Sequence, residues 1–183
     1  MRFSWKLFLI VMAIVISLAL MLVFAFQGVQ NKAISFEEQI GTAQSDIKVQ
    51  EKRRAELIPN LVDCVKAYDE HEYKTLMDVI AARGTSSDES VTEIQTMISA
   101  VAEAYPELKS SENYRELMNE LSTTENLIAN YRSNFNTWVK KYNQYVRKFP
   151  NQQILSALGY ETVEYTYLTY DVSEDAPTNL FED

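Results

Sequence analysis

Leu7–Phe26 reads LFLIVMAIVISLALMLVFAF, an apolar run interrupted only by Ser17. Twenty helical residues rise about 30 Å, the thickness of the hydrocarbon core of a bilayer. Inside lipid, a single segment satisfies its own backbone N–H and C=O groups only as a helix. A buried helix of a soluble protein rarely reaches this length without a charge. A cleavable signal peptide competes more strongly, because Arg2 and Lys6 make a positively charged start. Its apolar stretch would end after about 7–15 residues and lead into small residues at the cleavage site. Here Phe24-Ala25-Phe26 puts large rings at that place. The run is therefore expected to be an uncleaved signal anchor, a transmembrane helix from Leu7 to Phe26.

Outward from this run, Arg2 and Lys6 precede it, while Lys32 is the only basic residue between Gln27 and Ile47. Positive flanks stay in the cytoplasm. Residues 1–6 are thus expected to be cytoplasmic, with the rest of the chain on the outer (periplasmic or extracellular) side of the inner, or plasma, membrane. Trp5 suits the interfacial belt, where an indole keeps its N–H wet. Residues 27–34 are expected to form a juxtamembrane linker.

From Ser35 the pattern is helical. Ile40, Ile47, Leu61 and Tyr68 recur at multiples of seven, with Ala43, Leu57 and Cys64 in the second stripe position. The stripe continues to Ile80 and ends at Gly84, a residue suited to closing a helix. Pro59 falls inside it, and the apolar phase carries on across, so a kinked single arm is expected there. TSSDES (85–90) is the first connection, and Ser90 with Glu93 has capping-box spacing. A short amphipathic helix through Val91, Ile94, Ile98 and Val101 should end before Pro106. A longer helix is expected from Glu112 to Phe149, about 57 Å. Its stripe is Tyr114, Leu117, Leu121, Ile128, Phe135, Trp138, Tyr142, Tyr145 and Phe149. Residues 152–158 offer one or two further turns. The expected fold is all-α: a transmembrane helix followed by an elongated antiparallel bundle of about four helices over residues 35–159. The remaining 160–183 begin with YETVEYTYLTY and turn acidic, which reads as extended chain packed on the bundle and then a disordered end.

The 183 residues suit one domain of ordinary size, and only 4 Gly and 4 Pro argue against a turn-rich β-sandwich. A single Cys permits no disulfide within the chain, and a single His no site needing two. With 17 Lys+Arg against 26 Asp+Glu, the net charge of −9 argues against nucleic acid as a partner. No cofactor is expected, and no enzymatic activity.

Candidate chemistry is sparse. Lys52, Arg53 and Arg54 could meet lipid headgroups or an acidic partner, but Glu51 and Glu56 flank them and a helix would carry them about 39 Å beyond the span. A solvated, salt-bridged face fits them better. His71 lies between Glu70 and Glu72, without the further His or Cys that a transition-metal site recruits. Cys64 sits on the apolar stripe, about 10 Å along a helix from His71, too far for direct proton transfer. It reads as a small core residue. Thr123-Thr124-Glu125-Asn126 interrupts the long stripe, and inward-facing polar groups need partners. Glu125 paired with Arg53 or Arg54 across antiparallel helices would supply them.

Three stretches resemble the LemA family of bacterial membrane-anchored helical proteins. They are KRRAELIPNLVDCVKAYDEHEYKTL (Lys52–Leu76), PELKSSENYRELMNELSTTENLIANYRSNFN (Pro106–Asn136), and VKKYNQYVRKFP (Val139–Pro150) with Leu158-Gly159-Tyr160 downstream. The resemblance implies an antiparallel bundle of about four helices outside a single span. It implies no settled catalytic activity, and it carries no catalytic residues over.

The function expected from these readings is a membrane-tethered interaction or scaffold protein of the bacterial cell envelope. Its partners would be the bilayer through residues 7–26 and an unidentified envelope protein, with self-association through bundle packing as a further option. The alternative is a cell-envelope hydrolase or metalloenzyme, which requires a concave pocket with converging titratable groups.

Overall fold

The computed structural model describes residues 5–85 and 87–169, with the side chain of Lys6 left aside. Among them every regular element is helical and no strand occurs. The apolar run opens α1 (Trp5–Lys66), and its large side chains from Leu7 to Phe24 are between 42 and 74% exposed. The helix does not stop at Phe26. Residues 27–34, expected as a linker, continue it: the stretch holds one Gly and no Pro, and Ala33 is already buried. Pro59 lies within α1, where a missing N–H costs a hydrogen bond. Ile58, Leu61 and Val62, all at 0% exposure, hold the helix across that loss.

The single arm expected to reach Gly84 is two helices. Asp69 takes an extended conformation (φ −148°, ψ 108°), and its carboxylate accepts from the N–H groups of His71 and Glu72 at 2.8 and 3.1 Å. That cap starts α2 (Glu70–Arg83), which ends at Gly84 with φ +72°. Apolar phase alone does not register such a break, whereas the Asp69/Glu72 spacing is itself a start signal.

The next start is also displaced. Ser87, not Ser90, caps α3 (Asp88–Ala104), with its Oγ accepting from the Ser90 N–H at 3.1 Å. Asp88 and Glu89 form an acidic first turn that favours the earlier start. Glu93 pairs with Arg83 instead of closing a capping box. Pro106, at the first position of α4 (Pro106–Ser110), needs no N–H there, and Leu108 buries completely. The long α5 (Glu112–Arg147) follows, then α6 (Asn151–Ala157). Phe149, expected on the buried stripe, is 77% exposed because α5 has already ended.

Contacts divide the chain into two units, residues 1–40 with 135–183, and residues 41–134. In the second, α1 and α5 run antiparallel: Glu51 meets Arg132, Arg54 meets Glu125, and Cys64 meets Asn113. Leu57, Ile58, Leu61 and Val65 of α1 pack with Leu76, Ile94, Ile98, Leu108 and Leu121 in one apolar cluster. In the first unit the same antiparallel order holds, with Tyr145 reaching the Val29 carbonyl and Tyr142 reaching Glu37. Phe36 lies edge-on to Tyr145 at 5.4 Å. Residues 160–169 carry no regular secondary structure and no strand pairing. The acidic end expected to be disordered lies outside the described residues.

Candidate functional site

Five charged side chains converge in the unit of residues 41–134. Arg54 occupies the heptad position between Ile47 and Leu61, so the helix drives it inward, and it has no exposed surface. A buried guanidinium without partners would be prohibitive. Its Nη1 lies 2.8 Å from Asp88 Oδ1 and 3.4 Å from Glu125 Oε2. Asp88 is shared: Arg132 of α5 binds it and reaches Glu51 of α1 at 3.2 Å. Two guanidinium groups thus tie three carboxylates from three helices.

The hydrogen bond from Arg132, with a further one from Arg54, holds the Asp88 carboxyl below its usual range against the opposing effect of burial. Such a cluster favours one register and one relative rotation of the helices. Thr124, also buried, returns its hydroxyl to the Glu120 carbonyl at 2.9 Å and so brings no unmet donor into the core.

The basic triplet of the sequence therefore splits. Arg54 points in, whereas Arg53 is exposed and pairs with Glu120 of α5. Lys52 stays with Glu56 one turn along, at 3.7 Å. Of the two arginines considered for Glu125, the structure brings Arg54 to it and gives Arg53 to Glu120. Beside them runs a shallow groove of about 530 Å³ lined by Val49, Lys52, Arg53, Leu57, Leu117 and Glu120, among others. Val49 is 62% exposed within it. The groove offers an apolar floor with charges of both signs at its rim.

The other candidates do no chemistry that the geometry supports. His71 is exposed in the first turn of α2. Cys64 is half-buried, with Sγ 3.4 Å from the Asn60 carbonyl and 3.3 Å from Asn113 Nδ2. Burial, with Asp63 adding, pushes its thiol up, away from the thiolate a nucleophile needs. Among the described residues no group of three or more His, Cys, Asp or Glu is arranged to hold a metal ion.

Sequence reasoning misses Asp88 and Arg132 and takes Glu51 only as a flanking charge. Two signals point toward them: the heptad phase of Arg54, which demands buried anions, and Arg132 as the only basic residue between Arg115 and Lys140.

These features define a class: an all-helical protein whose first helix begins with a stretch long and apolar enough to cross a membrane, and whose helices are joined by an ion cluster around the buried Arg54. The LemA family's sequence model matches residues 43–181, and the chain belongs to the LemA family. It is 26% identical over 138 residues to Protein LemA of Metamycoplasma hominis, covering 69% of this chain and 63% of that protein. It is 33% identical over 66 residues to Magnetosome protein MamQ of Magnetospirillum gryphiswaldense, covering 36% of this chain and 24% of that protein. In both comparisons the match spans less than two thirds of the relative's length.

Proposed function

We propose that this chain is a membrane-tethered helical scaffold of the bacterial cell envelope. In this reading Leu7–Phe26 crosses the inner, or plasma, membrane once, the N-terminus is cytoplasmic, and the remaining helices stand on the outer side. The observation that carries it is the exposure of the large apolar side chains from Leu7 to Phe24 along α1, the helix that also supplies Arg54 to the ion cluster. Apolar surface left in water costs about 25 cal/mol per Å², so a lipid environment is the favourable one for this stretch.

Tethering confines the chain to two dimensions and raises its effective concentration near other membrane proteins, so weak contacts suffice. The groove beside Val49 and Arg53 supports the interaction role, because an apolar floor with a mixed-charge rim suits an envelope protein with a complementary face. No cofactor and no catalytic step enter this reading.

Carbonate washing of membranes, followed by proximity labelling from a tag after residue 183, tests the reading. Retention in the membrane and labelling of outer-side envelope proteins are expected. Release into the aqueous fraction, or labelling of cytoplasmic proteins alone, would overturn it.

A further inference from the structure

One face of α5 holds residues 163–168 by backbone atoms of that segment. Asn136 makes a two-point clamp: its Nδ2 donates to the Leu168 carbonyl and its Oδ1 accepts from the Leu168 N–H, both at 2.8 Å. One heptad on, Asn143 Nδ2 donates to the Tyr165 carbonyl at 3.0 Å. The Tyr142 hydroxyl accepts from the Val163 N–H at 3.0 Å. These contacts are the ones a neighbouring strand would make, supplied by side chains from a helix. Because they engage backbone atoms, they accept any copy of the segment equally.

Side-chain contacts add modestly. The Tyr165 ring meets Tyr142 edge-on at 5.2 Å, and Glu164 lies 3.7 Å from Arg147, both exposed. Val163, Tyr167 and Leu168 are 39 to 51% exposed. A cleft of about 620 Å³ remains between the start of the segment and α6. A segment with so little buried surface belongs to the part of a protein that opens most readily.

Its root, in contrast, is fixed. Gly159 (φ +67°) closes α6 in a Schellman arrangement, with its N–H on the Ser156 carbonyl at 3.1 Å and the Tyr160 N–H on the Leu155 carbonyl at 3.0 Å. Exposed Glu161 and Thr162 separate that root from the first clamp.

We propose that residues 163–168 are an exchangeable strap, and that the asparagine-lined face of α5 also takes the same strap from a second copy of the chain. The exchanged contacts equal those lost, so the equilibrium depends on the effective concentration of copies, which a shared membrane raises. This rests on the scaffold reading and names one of its partners.

The test uses the full-length chain with Cys64→Ser, reconstituted in phosphatidylcholine vesicles. Two differently tagged forms, Arg147→Cys and Glu164→Cys, are reconstituted together and treated with a short bismaleimide. Neither form can link within itself. The mixed 147–164 product is expected to exceed the 147–147 and 164–164 products combined, the ratio that random encounter of equal amounts gives, and to fall to that ratio when Asn136→Ala and Asn143→Ala are added to both forms. A mixed product no more abundant than the two same-site products combined overturns the proposal, as does an excess that survives the asparagine substitutions. A chain carrying both cysteines reports whether the strap is docked at home, so linking only within that chain marks a permanent lock and also overturns exchange. Flotation of the same vesicles reads the tether separately, so failure of the scaffold reading is distinguished from failure of the strap.

Discussion

Arg54 Nη1 and Asp88 Oδ1 lie 2.8 Å apart, joining a fully buried guanidinium on α1 to the first residue of α3. The two partners are unequally placed. Asp88 is half-exposed, so water can solvate it if Arg54 is lost, whereas Arg54 is out of reach of water and depends on protein acceptors.

Arg54→Ala is expected to destabilise by about 2–5 kcal/mol, chiefly through the cavity that a large buried side chain leaves, since the carboxylates it releases can hydrate. Arg54→Met should cost less, because it fills the same space and leaves carboxylates that can hydrate. Glu125→Gln should cost about 1 kcal/mol. Denaturant titration of the single and double variants measures the coupling, and strict additivity of Arg54 and Glu125 changes would show that they do not interact.

The depressed pKa of Asp88 sets a direction in pH. A carboxyl that ionises more readily when folded contributes stability above its unfolded value, near 3.9, and loses it as pH falls through the folded value. The stability gap between the native chain and Asp88→Asn should be widest near neutrality and close progressively below about pH 4. Chemical denaturation across that range checks it; a gap that widened in acid would contradict the assignment.

Two glycines should respond in opposite directions to alanine. Gly84 has φ +72° and ψ −172°, a conformation that side chains rarely adopt, and no atom lies within 4 Å of an added Cβ. Gly84→Ala should cost about 1–3 kcal/mol from backbone strain alone. Gly41 lies inside α1, also with open space around an added Cβ. Gly41→Ala should stabilise by about 0.5–1 kcal/mol. Thermal or denaturant melts of the two variants read both signs.

Tyr142 bridges two partners, accepting from the Val163 N–H and donating to Glu37 at 2.8 Å. Burial, with the Glu37 side chain adding, pushes its phenol well up. A raised phenol keeps its stabilising effect below the unfolded value, near pH 10, and loses it as pH rises beyond. Tyr142→Phe should cost about 1–2 kcal/mol at neutrality and lessen that alkaline dependence, with Tyr160, also raised, supplying part of the remainder. Hydrogen exchange at the Val163 amide should quicken, while the Leu168 amide, held by Asn136, changes less.

Much of the fold was legible because helices announce themselves through neighbours in the chain. The stripe from Tyr114 to Tyr142 and the stop before Pro150 follow from periodicity and proline sterics, and α5 and α6 fall close to where those signals put them. The breaks were harder. Asp69 and Ser87 compete with nearby polar residues for the role of cap, and the starts they set let Leu76 of α2 and Ile94 of α3 bury in one cluster. The ion cluster was half legible: Glu125 stands out as a polar residue interrupting an apolar stripe, with Arg53 and Arg54 equally available to it, but Asp88 lies in what reads as a connection.

The sequence alone determined the apolar opening of α1, the all-helical character and the buried phase that carries Arg54, since each depends on residues within a few turns of one another. Tertiary structure decided which carboxylates meet Arg54 and where residues 163–168 rest on α5. Those pairings join positions 21 to 71 residues apart, and no local preference encodes a contact that exists only once distant helices have closed on each other.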